Sequence, residues 1–177
     1  MPQFDAANTK ILIQMGYFAE FGSTGKLLKL YDAFRNGESR FSKNHVPKTQ
    51  RARLERLREI EGTIPEQDVP MADQIRFEMA HYGVPLSVYP DQRSVCAILE
   101  VDDKYSPKIR MYAVSKGNIG IMKMRKTAFI STPLQPGDII RLVKWEKKPC
   151  YRFVGGKATV IPGKTELWII DYVRISP

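Results

Sequence analysis

Hydrophobic positions in the first half of the chain recur with the 3.6-residue spacing of α-helices. Turn residues or helix breakers follow each of these periodic segments, for example Gly16 after the first and Asn36-Gly37 after the second. Gly83, Pro85 and Pro90 then end all helical character. The pattern predicts a helical unit over residues 1–90. Its helices are expected at about 6–15, 24–35, 48–61 and 70–82.

From Arg93 onward the pattern changes to the alternation of polar and apolar residues that is typical of β-strands. Pro133 and Pro136 leave little room for a helix between the third and fourth strands. A long loop should join the last two strands and could hold a short hairpin at Tyr151–Ile161. Strands are expected at about 95–101, 108–114, 119–126, 139–145 and 167–175.

Five strands without intervening helices predict a small closed Greek-key barrel over residues 92–177. The OB-fold is the commonest such barrel that binds nucleic acid, and an SH3-like barrel is the alternative. The expected fold class is therefore α+β, with an N-terminal helical unit followed by a small five-stranded OB-like β-barrel.

Charge separates the same two halves. Residues 1–92 contain 12 Lys/Arg and 12 Asp/Glu, whereas residues 93–177 contain 16 Lys/Arg and 7 Asp/Glu, so the whole net charge of +9 lies in the second half. A basic unit attracts polyanions, of which nucleic acid is the first candidate and an acidic membrane surface the second.

Several function classes find no support. No apolar stretch reaches membrane-spanning length, and the amino terminus has no basic, apolar leader. Two cysteines and two histidines are too few for a disulfide scaffold or a zinc site. No phosphate-binding loop or nucleophile elbow is present, and Asp102-Asp103 is interpreted as a turn. We therefore expect a cytoplasmic chain with no membrane association, no metal or cofactor and no catalytic activity of its own.

The OB-like interpretation places a candidate nucleic-acid interface on strands 2 and 3 and on the 1–2 and 4–5 loops. Cations there would follow phosphates, and aromatic side chains would stack with unpaired bases. Trp145 and Trp168 are expected to be barrel or interface residues instead. The candidates are Lys104 and Tyr105 in the 1–2 loop, Lys108, Arg110 and Tyr112 on strand 2, Lys123 and Arg125 on strand 3, and Lys147, Lys148, Tyr151 and Arg152 in the 4–5 loop.

Three segments, in order, resemble the C-terminal region of bacterial DNA polymerase III alpha subunits. Leu12–Gly22 followed by Lys26–Tyr31 resembles the glycine-phenylalanine turn and leucine-rich helix that close the helix-hairpin-helix region behind the fingers. Gln74–Leu86 resembles the helix that ends in a glycine and a proline-leucine pair before the OB domain. The predicted barrel follows where that family places its OB domain.

The resemblance implies that the barrel binds single-stranded DNA template and that the helices contact duplex and carry, or lie near, a sliding-clamp-binding peptide. The parent protein would be a DNA-directed DNA polymerase, a nucleotidyltransferase. The palm carboxylates and the phosphoesterase domain have no counterpart here, so the expected function is a non-catalytic template-binding module. One alternative is a protein-interaction module that docks the sliding clamp or other replisome subunits. A small enzyme with an unrecognised site in the 4–5 loop is the third.

Overall fold

A computed structural model describes residues 6–175. The chain divides into two compact units, Met1–Phe77 and Glu78–Pro177. The division falls within the fourth helix, whereas the sequence places a boundary near residue 90. In the described part of the chain, no helix is long and apolar enough to cross a membrane.

Within the described residues, four α-helices make up the helical part, and they confirm the prediction with ends shifted by at most two residues. They are α1 (Ala6–Gln14), α2 (Thr24–Arg35), α3 (Pro47–Thr63) and α4 (Met71–Tyr82).

Hydrogen bonds join the start of α2 to the segment that follows α3. The Glu66 carboxylate accepts hydrogen bonds from the Ser23 N–H at 2.9 Å and from Lys26 Nζ at 2.7 Å. Gly25 allows this close approach, because a Cβ there would lie 2.2 Å from the carbonyl oxygen of Gln67. Any side chain at this position would therefore push the two segments apart.

The second unit is built on a closed five-stranded sheet with the strand order β1-β2-β3-β5-β4. β4 closes the sheet by pairing with β1, and β3 meets β5 in parallel only at Lys123↔Trp168 and Met124↔Ile169. The predicted α+β class, with a helical amino-terminal part and a five-stranded closed sheet, is confirmed. The elements are β1 (Val95–Asp102), β2 (Lys108–Ala113), β3 (Asn118–Met124), α5 (Lys126–Ser131), β4 (Ile139–Val154) and β5 (Lys157–Arg174).

Inward-facing residues of all five strands form the core of this sheet. Ile98, Ile109 and Ile140 are fully buried, and Phe129 of α5 packs into the same cluster. The expectation that the prolines leave little room for a helix after β3 is wrong, because α5 occupies six residues there. Pro133 lies beyond the end of α5, a position where proline removes no helical hydrogen bond.

The predicted long loop between the last two strands is also wrong, but the short hairpin expected within it at Tyr151–Ile161 is confirmed. β4 and β5 continue as a paired antiparallel ribbon from Lys147↔Leu167 to Val154↔Lys157, with one register shift between Pro149 and Tyr151. Gly155 and Gly156 both have positive φ and form the two-residue turn at its tip. We call residues 147–165 the β4–β5 ribbon.

Candidate nucleic-acid interface

Two of the cations predicted to bind nucleic acid lie exposed on the outer face of β2. Each has an acidic neighbour on β1. Lys108 Nζ is 3.6 Å from Asp102 Oδ2, and an Arg110 guanidinium nitrogen is 3.5 Å from Glu100 Oε2. The pairs follow from the strand register, which sets Asp102 opposite Lys108 and Glu100 opposite Arg110. The positive charge of this face is therefore largely compensated within the sheet.

A second group of charges surrounds Trp168 on the outer face of β5. Lys123 Nζ forms an ion pair with the Glu166 carboxylate and lies 5.9 Å from the centre of the Trp168 ring. Lys148 Nζ lies 4.5 Å from the same ring and 2.6 Å from Glu146 Oε1. The hydrogen bond from Lys148 is the main cause of a lowered pKa at Glu146.

Trp168 itself is fixed by a hydrogen bond from its indole Nε1 to Glu166 Oε1 at 2.9 Å. The sequence predicts that this half-buried ring belongs to the barrel or to an interface. The strict alternation of Glu166, Trp168 and Ile170 with the inward Leu167 and Ile169 could have indicated its outward position.

Tyr112 does not form the exposed stacking surface that the sequence predicts. It shares the outer face of β2 with Arg110 but is 4% exposed, because residues 86–89 pass over it. Its hydroxyl donates to the carbonyl oxygen of Ser87 at 3.0 Å, and burial raises its pKa. The buried Glu78 carboxylate holds this covering segment by accepting from the N–H groups of Leu86 and Ser87 at 2.6 and 2.9 Å.

Arg125 also departs from its predicted position. β3 ends at Met124, and Arg125 is the N-cap residue of α5, so it does not share a strand face with Lys123. Its exposed side chain lies instead in a shallow depression with Lys144 and Glu146 of β4. The sequence-based assignment assumed that the alternation of β3 continues to Lys126.

The loop between β1 and β2 presents Lys104 and Tyr105 to solvent. Tyr105 is 87% exposed, the most exposed of the large hydrophobic side chains described. The Lys104 N–H donates to Asp102 Oδ1 at 3.3 Å, which stabilises the turn and leaves the ammonium group on the outside.

Near its tip, the β4–β5 ribbon carries Arg152 on one face and the rings of Tyr151 and Phe153 on the other. Register sets Tyr151 opposite Val160 and Phe153 opposite Ala158, which gives one face of apolar character. Tyr151 is 57% and Phe153 78% exposed. Arg152 lies on the other face, opposite Thr159.

Most cations of the ribbon differ from the predicted cations on β2 and β3 in having no ion-pair partner among the described residues. Within residues 6–175, no ion-pair partner is found for the side chains of Lys147, Arg152, Lys157 or Lys164. Lys157 and Lys164 were not among the predicted site residues, although a run of 19 residues without a single carboxylate marks them in the sequence. The ribbon therefore carries both free cations, which can contact phosphates, and exposed rings, which can stack with bases, although near the tip they lie on different faces.

Among the described residues, no group of three or more His, Cys, Asp or Glu side chains is arranged to hold a metal ion. Comparison of the chain with protein-family models, with curated proteins and with solved structures gave no match.

Proposed function

We propose that the second unit is an OB-fold domain that binds single-stranded nucleic acid. The strand order 1-2-3-5-4, the closing β1–β4 pair and the helix between β3 and β4 support the OB assignment over the SH3-like alternative. The ligand would cross the outer face of β2 and β3 and continue along the β4–β5 ribbon.

One observation carries this proposal. The ribbon contains five Lys/Arg and no Asp/Glu, and it exposes Tyr151 and Phe153 on one face. An isolated two-stranded ribbon gains little from its own packing, and exposed rings at its surface are costly unless a ligand covers them. Because each stacked base contributes about 1–3 kcal/mol, two rings are enough for sequence-tolerant binding.

The biological role that we propose follows the resemblance to polymerase III alpha subunits. The domain would position single-stranded template for a cytoplasmic replicative polymerase, with no catalytic activity of its own. Single-stranded DNA is then the expected partner, and the sliding clamp and other replisome subunits are further ones.

The test compares labelled single-stranded and duplex DNA of about 15 nucleotides, a length within the range of OB-fold sites, by fluorescence anisotropy. Preferential binding of the single strand is expected. The double variant Tyr151→Ala/Phe153→Ala should bind about tenfold or more weakly, because two stacking surfaces are lost.

Tyr17→Ala is the matched control, since Tyr17 is 66% exposed but belongs to the helical unit. Equal affinity for single strand and duplex, or a double variant that binds as the wild type does, contradicts the proposal.

A cavity in the helical unit favours the second candidate function, a protein-interaction module. Residues of α1, α2 and α3 and the segment after α1 line an apolar hollow of about 540 Å³, including Ile13, Phe21, Leu27 and Leu57. Surface plasmon resonance against a purified bacterial sliding clamp tests it. Phe21→Ser, at a side chain that is 64% exposed, should abolish clamp binding and leave DNA binding unchanged.

A further inference from the structure

Part of β3 is a free strand edge. β3 pairs with β2 along its whole length but with β5 only at Lys123 and Met124. The Met124 N–H donates to the Pro107 carbonyl on the β2 side at 2.9 Å, so alternate residues of β3 direct their main-chain groups toward β2. The N–H and C=O groups of Ile119 and Ile121 therefore point to the opposite side, where no described strand pairs with them.

A cavity of about 540 Å³ opens beside this edge, in the gap between β3 and the start of the β5 segment that closes the sheet. Gly120 faces the gap, and a Cβ placed on it would have no neighbour within 4 Å. The walls are mostly apolar side chains, among them Met111, Met122, Leu142, Trp145 and Leu167. The gap can thus receive a large apolar group that the protein itself does not supply.

The charged groups at the rim of this cavity are all positive. Arg93 and Lys116 line it, and no carboxylate does. Ser94, Ser115 and Asn118 complete the polar part of the lining. An occupant with negative charge next to its apolar group would be favoured over a neutral or basic one.

We infer that the β3 edge binds an extended acidic peptide of a partner protein by β-strand addition. The peptide main chain pairs with Ile119 and Ile121, one large apolar side chain enters the cavity over Gly120, and flanking carboxylates face Arg93 and Lys116. A peptide suits this edge because it alone supplies amide donors and carbonyl acceptors at strand spacing. A DNA backbone offers acceptors only, and an RNA backbone offers one donor per nucleotide, its 2′-hydroxyl, at a different spacing. This site adjoins the outer face of β3 that the proposed nucleic-acid ligand would cross, but the inference does not rest on that proposed function.

The probes are synthetic eight-residue peptides. Each has a large apolar residue at its centre, which is phenylalanine, leucine or tryptophan. Valines occupy alternate positions around it, and glutamates flank this apolar segment. Binding to the full chain is measured by isothermal titration calorimetry, and amide shifts of residues 118–122 by NMR. At least one peptide should bind and shift the Ile119 and Ile121 amides. The same peptide with lysines in place of glutamates, or with N-methylated valines, should bind about tenfold more weakly.

Two variants address the two halves of the site. Ile121→Pro removes the donor that faces the gap, and Gly120→Val fills the cavity entrance. Each should weaken peptide binding about tenfold or more. Ile130→Val, at an exposed position of α5 outside the cavity, should bind as the wild type does. Both variants should fold, because the Ile121 N–H has no partner in the sheet and Gly120 lies outside the left-handed region; circular dichroism checks this.

Three results overturn the inference. One is that no peptide of the panel binds, and another is that Ile121→Pro and Gly120→Val leave binding unchanged. The third is a different occupant. If light scattering shows a dimer that Ile121→Pro dissociates, the edge binds a second copy of the chain. If a single-stranded oligonucleotide displaces the peptide, the edge binds nucleic acid. Loss of DNA binding in Tyr151→Ala/Phe153→Ala has no bearing on these outcomes.

Discussion

Removing charge from the ribbon should change the salt dependence of nucleic-acid binding more than removing the same charge from the sheet. The ribbon variant is Arg152→Gln/Lys157→Gln, at two exposed cations without an ion-pair partner among the described residues. The sheet variant is Lys108→Gln/Arg110→Gln, at two cations that already face Asp102 and Glu100. Both variants lower the net charge by two, so they differ only in where the charge is lost.

The expected magnitude follows from counterion release. Four unpartnered ribbon cations that contact single-stranded phosphates give a slope of log affinity against log salt of about −2.8, which is on the order of fifty-fold between about 50 and 200 mM salt. With two of them removed, the slope should be about −1.4 and the loss about sevenfold over the same range. The sheet variant should change the slope less, because Lys108 and Arg110 must first give up carboxylate partners to contact a phosphate.

The assay is fluorescence anisotropy with one labelled single strand at five or more salt concentrations. Thermal unfolding of each variant serves as the control for folding. Two outcomes would refute the distinction between compensated and free cations. One is equal salt dependence in the two variants. The other is a shallower salt dependence in the sheet variant than in the ribbon variant.

Three further predictions concern individual side chains. Tyr112→Phe removes a hydroxyl that donates to the carbonyl oxygen of Ser87, so urea unfolding should show a loss of about 1 kcal/mol, and wild-type stability would contradict a role for this hydrogen bond. Burial raises the pKa of the Cys96 thiol to about 11. Iodoacetamide at pH 8 should therefore modify half-buried Cys150 and spare Cys96 in the native protein. Peptide mass spectrometry measures the two modifications, and early modification of Cys96 would contradict its burial. The hydrogen bonds from Lys26 and Ser23 lower the pKa of Glu66 from 4.5 to about 2. Because the folded pKa is the lower one, this stabilisation is present above about pH 4.5 and is lost as the pH falls toward 2. Melting temperatures of Glu66→Gln should therefore vary less across that window than those of the wild type, and parallel profiles would exclude the effect.

Local patterns were sufficient to predict most elements, because periodicity and turn residues report on the chain's own neighbours. Leu27, Leu28 and Tyr31 indicated α2, and the alternation after Arg93 indicated β1 and β2. The length of β4 and β5 was missed because Pro149 and the glycines of the ribbon resemble loop residues. In the structure, Pro149 lies beside a register shift, where a strand tolerates proline.

Contacts between distant segments account for the errors at the candidate site. Alternation placed Tyr112 on the outer face of β2, but only the path of residues 86–89 determines that it is covered. The compensation of Arg110 by Glu100 depends on the register between β1 and β2, which includes a shift between Ile98 and Glu100. A bulge of this kind leaves no readable signal in a single sequence.

The two-residue turn at Gly155-Gly156 has a consequence for how this protein can diverge. Insertions or deletions near such a tip change the reach of the ribbon without touching the strands that close the sheet. Because strand faces alternate, a change of one residue per strand between the sheet and the rings would move Tyr151 and Phe153 to the opposite face. A change of two residues per strand keeps the faces and alters the reach by about 7 Å. Related chains should therefore differ in ribbon length by even numbers of residues in each strand.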